Sequence, residues 1–94
     1  MTIAKIIHTQ LKQLDQMALW AWGTKDLVAM NDGLKFKTSG SVKWKGYVYI
    51  KYDEGQDLYN IDFFKICKME IVYSEQLEGV FAEDMVRLID EVVG

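Results

Sequence analysis

The chain of 94 residues has no proline, one cysteine (Cys67) and one histidine (His8). A lone cysteine cannot close an intramolecular disulfide, so the fold does not require an oxidising compartment. One cysteine and one histidine are also too few for a zinc site that one chain builds from sulfur and nitrogen ligands. The composition therefore excludes the disulfide-rich and zinc-finger classes of small protein.

Long hydrophobic runs are also missing. The longest unbroken apolar run, residues 17–22, is far shorter than the roughly 20 residues that a membrane-spanning helix needs. Lys5, His8 and Lys12 interrupt the first turns of the chain, so the apolar core of a signal peptide is absent. We therefore expect a cytoplasmic protein.

The residues needed for catalysis are scarce as well. Nucleophilic catalysis needs a nucleophile beside a base, and the sequence gives neither His8 nor Cys67 a partner of this kind. We expect His8 to be a half-exposed helix residue and Cys67 to be a small buried apolar group. No glycine-rich phosphate loop is present. We predict no enzymatic activity, no metal site and no cofactor.

What the chain does have is apolar residues, which make up 50% of it, and aromatic residues, which make up 13%. This composition can form one hydrophobic core in a chain of this length. We therefore expect a single α+β domain over residues 1–94.

Apolar residues at helical spacing predict a helix at each end of the chain. The first covers residues 2–17, and its apolar side chains are Ile3, Ile6, Ile7, Leu11, Leu14 and Met17. The second covers residues 81–93, and its apolar side chains are Phe81, Met85, Leu88, Ile89 and Val92. The pattern leaves open whether residues 19–22 are helix or strand.

Between the helices the apolar period changes to two, which is typical of strands. We predict strands over residues 27–30, 34–37, 42–52, 58–65 and 69–73. The turn Asn31-Asp32-Gly33 is a hairpin signal, because these residues tolerate positive φ. The predicted fold is α+β, an antiparallel sheet of four to five strands with both helices packed on one face.

The uncovered sheet face is the candidate partner-binding site. Residues 35–51 contain five lysines and no acid, whereas the last 25 residues are strongly acidic. Strand alternation places on the uncovered face Lys35, Lys37, Lys43, Lys45, Tyr47, Tyr49 and Lys51. Such a face suits single-stranded nucleic acid or an acidic protein, and it is equally compatible with a plain solvated surface. The ten lysines and single arginine favour a protein, because arginine is the usual residue for planar, bidentate contacts with phosphates.

Several short motifs resemble a family of small proteins from gut-bacterial phages and integrated mobile elements. They lie at residues 22–29, 31–37, 48–50, 57–63 and 79–85, and Asp26 stands where the family commonly has asparagine. The resemblance covers roughly residues 20–94. Because the family has no assigned activity, the resemblance implies an origin and a fold rather than a chemistry.

Together these features predict a non-catalytic phage or mobile-element accessory protein in the cytoplasm of a bacterial host. We expect it to bind and modulate a host protein, with a component of a defence system as one candidate. The alternative is an accessory nucleic-acid-binding protein that uses the lysine and tyrosine face. The sequence leaves the oligomeric state open.

Overall fold

The computed structural model describes residues 3–39 and 44–93, which form a five-stranded sheet and two helices. The elements in chain order are α1 (Ile3–Trp22), β1 (Lys25–Met30), β2 (Gly33–Lys37), β3 (Tyr47–Asp53), β4 (Leu58–Cys67), β5 (Glu70–Val80), a 3₁₀ turn (Ala82–Asp84) and α2 (Met85–Val93). Each strand is antiparallel to its neighbours, in the order β1-β2-β3-β4-β5. The predicted α+β fold is confirmed.

The core lies between one face of the sheet and the two helices. Strand pairing aligns Phe36 with Val48 and Val48 with Phe63, and all three side chains are fully buried. The helices contribute buried residues to the same cluster, namely Ala4, Ile7, Leu11, Leu19, Trp22, Met85, Ile89 and Val93. Because the side chains of a strand alternate, the intervening residues point to the opposite, uncovered face.

Helix α1 is broken at Asp15, which has extended backbone angles (φ −167°, ψ 95°). Its carboxylate accepts a hydrogen bond from the backbone N–H of Ala18 at 3.2 Å, so Asp15 caps a second helical segment. That segment continues to Trp22, which shows that residues 19–22 are helix rather than strand.

The structure also corrects the predicted apolar stripe of α1. Ile6, Leu14 and Met17, expected on the buried face, are exposed. Before the break, α1 buries Ala4, Ile7 and Leu11, which are three and four residues apart, and Ile6 lies off this stripe. Leu14 directly precedes the extended Asp15 and Met17 follows it, where the stripe is interrupted, and the second segment buries Leu19 and Trp22.

Three predicted boundaries also differ in the sheet and at α2. Strand β3 begins at Tyr47 rather than at residue 42, which lies outside the described residues. Strand β5 covers eleven residues because Lys68 and Met69, both with positive φ, form a two-residue turn that leads directly into it. Phe81 precedes the 3₁₀ turn and is 57% exposed, so it does not belong to the buried face of α2.

The distal part of the β4–β5 hairpin, residues 65–74, is named here the arm. Its apolar side chains are exposed, and they are Ile66, Met69, Ile71, Val72 and Tyr73. Among the contacts that the helices make with other elements, those of α1 with α2, β1 and β2 are the most extensive. Apolar side chains on both faces of the arm are thus exposed.

The buried face of α2 can be tested by placing a charge in it. Met85→Asp puts an unpaired carboxylate at a fully buried position. Such a change lowers the free energy of unfolding by about 3–5 kcal/mol. We expect this variant to be unfolded, or to melt far below the wild-type protein, in thermal denaturation followed by circular dichroism.

The control is Phe81→Asp, four residues earlier on the predicted helical stripe but exposed in the structure. We expect it to melt close to the wild-type temperature. Equal destabilisation by the two substitutions would contradict the observed start of α2.

Candidate partner-binding face

Most of the predicted site residues share the uncovered side of the sheet, named here the open face. Strand pairing places Lys37 opposite Tyr47 and Lys35 opposite Tyr49, with Lys51 two residues further along β3. Lys45 is exposed just before β3 begins. Lys43 lies outside the described residues.

A row of aromatic rings crosses the open face. The ring of Tyr47 stacks on Phe64 of β4, with centroids 5.4 Å apart and planes 13° from parallel. Phe64 in turn contacts Tyr73 of β5 at 5.9 Å. The sequence analysis missed Phe64 and Tyr73. The signal for Phe64 was present, because Phe63 and Phe64 are consecutive in a strand and must therefore point to opposite faces.

The two sides of the Tyr47 ring are occupied within the protein. Phe64 contacts it from β4, and the amino groups of Lys35 and Lys37 lie 5.9 and 5.8 Å from its centroid on the β2 side. These distances are within the range of cation–π attraction. Neighbouring side chains therefore contact the Tyr47 ring on both sides, and neither side is free to stack on a base.

Lys51 and Tyr49, two further predicted site residues on β3, are also bound to side chains within the protein. The amino group of Lys51 forms a 2.8 Å ion pair with the buried carboxylate of Asp62, which also accepts a hydrogen bond from the side-chain amide of Gln76 at 3.3 Å. The hydrogen bond to Asp62 raises the pKa of Lys51. The hydroxyl of Tyr49 donates to Asp32, and burial together with this bond raises the pKa of Tyr49 to about 12. These side chains stabilise the sheet and its first turn.

The accessible part of the site is a depression of about 460 Å³ where the arm leaves the sheet. Its lining includes Lys37, Lys45 and Tyr47 together with Lys65 and Ile66 of the arm. Among the described residues, no carboxylate lies within ion-pair distance of these three lysines. The depression thus combines uncompensated positive charge with an exposed apolar side chain. Lys65 and Ile66 were not among the predicted site residues.

The segment that carries Lys45 is held by Thr38 and Gly46. The buried hydroxyl of Thr38 donates to the carbonyl of Gly46 at 3.2 Å and accepts from its N–H at 3.1 Å. A Cβ on Gly46 would lie 2.6 Å from the Trp44 ring and 2.8 Å from the carbonyl oxygen of Phe64. Glycine is therefore needed for the close approach that places Lys45 at the depression.

The lone histidine and the lone cysteine lie in different surroundings. His8 is half-buried on α1, as expected, and burial followed by the nearby charge of Lys12 lowers its pKa. The expectation that Cys67 is buried was wrong, because it ends β4 in the arm and is exposed. Across residues 3–39 and 44–93, no group of three His, Cys, Asp or Glu side chains could hold a metal ion.

Comparisons with protein-family models, with curated proteins and with solved structures find no match to the chain. Within the part of the chain that the structure describes, no helix has the length and apolar character to cross a membrane.

The tight packing at Gly46 generates a prediction. Gly46→Ala should lower the free energy of unfolding by about 1–3 kcal/mol, because the added methyl must displace a backbone carbonyl or the Trp44 ring. Urea denaturation measures this difference.

The control is Gly55→Ala, where the nearest atom to the new Cβ would be 3.5 Å away. That variant should be neutral or more stable by up to about 1 kcal/mol. A neutral Gly46→Ala would contradict the described approach of β3 to β4.

Proposed function

We propose that the protein is a non-catalytic binding protein whose partner is the acidic surface of another protein. The observation that supports this proposal is the depression where Lys37, Lys45 and Lys65 lie beside the exposed Ile66. Lysines that lack carboxylate partners attract an acidic surface and speed its association. Contact between the Ile66 side chain and that surface would exclude water from the interface.

The tip of the arm extends the same surface. Met69 is 98% exposed in the turn and follows Lys68, so apolar and basic groups continue away from the depression. Exposed apolar patches bordered by polar residues are typical of protein interfaces. Methionine is well suited to such a contact, because its flexible thioether adapts to the shape of a partner.

The arrangement of the tyrosines favours a protein over single-stranded nucleic acid. Base stacking requires an accessible ring face, and it contributes about 1–3 kcal/mol per base. The Tyr47 ring already contacts Phe64 and two lysine amino groups, while Tyr49 is bound to Asp32. A base would have to displace these contacts, which reduces what stacking could contribute.

A more specific form of the proposal concerns the partner's origin. The resemblance to phage and mobile-element proteins supports a host protein as the target, with a component of a defence system as one candidate. The alternative function, accessory nucleic-acid binding, is favoured by one observation. The three lysines at the depression have no carboxylate partner in the part of the chain that the structure describes.

Charge reversal at the depression tests the proposal. We expect Lys45→Glu to reduce the rate of association with the captured partner about tenfold or more, because it replaces an attractive charge with a repulsive one. The measurement is affinity capture from nuclease-treated lysate of a gut bacterium, followed by binding kinetics with the purified partner.

The control is Lys12→Glu, which makes the same charge change at an exposed position on α1. It should bind like the wild-type protein. Equal binding by both variants would remove the depression from the interface, and capture that disappears after nuclease treatment would favour the nucleic-acid alternative.

A further inference from the structure

The arm has a property that the proposed function does not use, because its outer strand is a free sheet edge. Within residues 3–39 and 44–93, strand β5 pairs with β4 alone, so one side of its backbone has no strand partner there. The apolar residues Ile71, Val72 and Tyr73 are consecutive on this edge and all are exposed. Consecutive residues alternate faces, so apolar groups are present on both faces of the edge.

The backbone groups that point outward can be assigned from the turn. Lys68 and Met69 form a two-residue turn, which makes Cys67 and Glu70 the closing hydrogen-bonded pair. Hydrogen-bonded and non-hydrogen-bonded pairs alternate along an antiparallel ladder. The N–H and C=O groups of Ile71 and Tyr73 therefore point away from β4, toward the free edge.

The opposite edge of the sheet is charged and irregular at its start, whereas residues 71–73 of the arm pair regularly with β4, and the irregularity of β5 lies beyond them, between Tyr73 and Glu75. Strand β1 begins with Lys25, has an irregular register between Lys25 and Val28, and has positive φ at Asp26. Charges and bulges of this kind protect edge strands from pairing. Residues 71–73 have no charge, no proline and a regular register with β4.

We propose that a second copy of this chain pairs with β5 in antiparallel register, with Val72 opposite its own counterpart on a two-fold axis. In this register Ile71 lies opposite the second copy's Tyr73, so the outward backbone groups of both residues form hydrogen bonds. Glu70 lies opposite Ser74, so no like charges face each other across the axis. A register centred on Glu75 would instead place two glutamates opposite each other, which is destabilising.

The side chains support a second copy rather than an unrelated strand. On the open face, Tyr47, Phe64 and Tyr73 form a row across the sheet. In the proposed pairing, Tyr73 lies next to Ile71 of the second copy. Within each hairpin Ile71 lies opposite Ile66, so the row continues to Ile66 of the second copy. The edge is thus complementary to itself in backbone, charge and apolar contact. The resulting assembly is a continuous ten-stranded sheet.

The oligomeric state of purified protein tests this inference. Sedimentation equilibrium of the wild-type chain should show a monomer–dimer equilibrium in the micromolar range. Val72→Lys should raise the dissociation constant at least about tenfold, because it places two ammonium groups opposite each other at the axis. Val28→Lys is the matched control, since it changes an exposed valine on the other edge strand and should leave the dimer intact.

The single cysteine gives a second readout that needs no substitution. Cys67 is exposed and lies opposite Glu70 in the hairpin, two residues from the proposed axis. Strand spacing and rise place the two Cys67 Cα atoms about 20 Å apart in the dimer. Nitroxide labels on Cys67 should give a mean distance near this value in pulsed electron paramagnetic resonance.

Three results would overturn the inference. The wild-type chain could stay monomeric, Val28→Lys could dissociate the dimer as readily as Val72→Lys, or the distance between the labels could be twice that expected. None of these measurements uses the acidic partner. Failure of the dimer and failure of the proposed function are therefore separate outcomes.

Discussion

Trp22 joins the three parts of the core, and the placement of both helices on the sheet depends on its contacts. Its ring lies parallel to Phe36 of β2, with centroids 6.5 Å apart. Its indole N–H donates to the carboxylate of Asp90 in α2 at 3.0 Å. One buried side chain thus connects the end of α1, the sheet and the second helix. Such a residue combines a large apolar area with one satisfied polar group, which is why buried tryptophan is often found where elements meet.

Because the helices meet over one face, the sheet has a core on one side only. The extensive contacts between α1 and the strands are those with β1 and β2, whereas β5 lies at the other edge of the sheet. The arm, formed by the ends of β4 and β5, is therefore left exposed by the placement of the helices.

The open face is stabilised by polar and aromatic contacts rather than by a covering layer. Asp62 is buried on this face, and its charge is balanced by Lys51 and by the amide of Gln76. Buried carboxylates need such partners, because an unpaired one is costly to desolvate. As a result, the lysines around this face divide into two groups. Lys51 has a structural partner. Lys37 and Lys45 lie at the depression together with Lys65, which alternates with Phe64 and Ile66 on β4, and these three have no carboxylate partner among the described residues.

The sequence predicted the features that depend on local periodicity. Strand alternation puts Val48 and Ile50 on the face opposite Tyr47 and Tyr49, and both are buried. It also placed Lys35, Tyr47 and Tyr49 together on the uncovered face, as strand pairing shows. These results follow from side-chain direction, which is set by the backbone alone.

Three other features could not be predicted from periodicity. The break in α1 arises because the Asp15 carboxylate replaces a helical hydrogen bond, and aspartate is equally compatible with an exposed helix position. The burial of Cys67 was predicted wrongly, because its exposure depends on the helices ending short of the arm. The turn at Lys68 and Met69 lacks the glycine or asparagine that normally marks a two-residue hairpin, so the length of β5 had no sequence signal.

We propose that the open face docks a protein and does not stack nucleic acid bases. The most direct measurement is a titration of fluorescently labelled single-stranded oligonucleotides at about 50 and 200 mM salt. The account predicts no micromolar binding at either salt concentration, and little effect of Tyr47→Ala on whatever weak binding remains. Micromolar or tighter binding that falls log-linearly with salt, together with a loss of about 1–3 kcal/mol in a folded Tyr47→Ala variant, would contradict it.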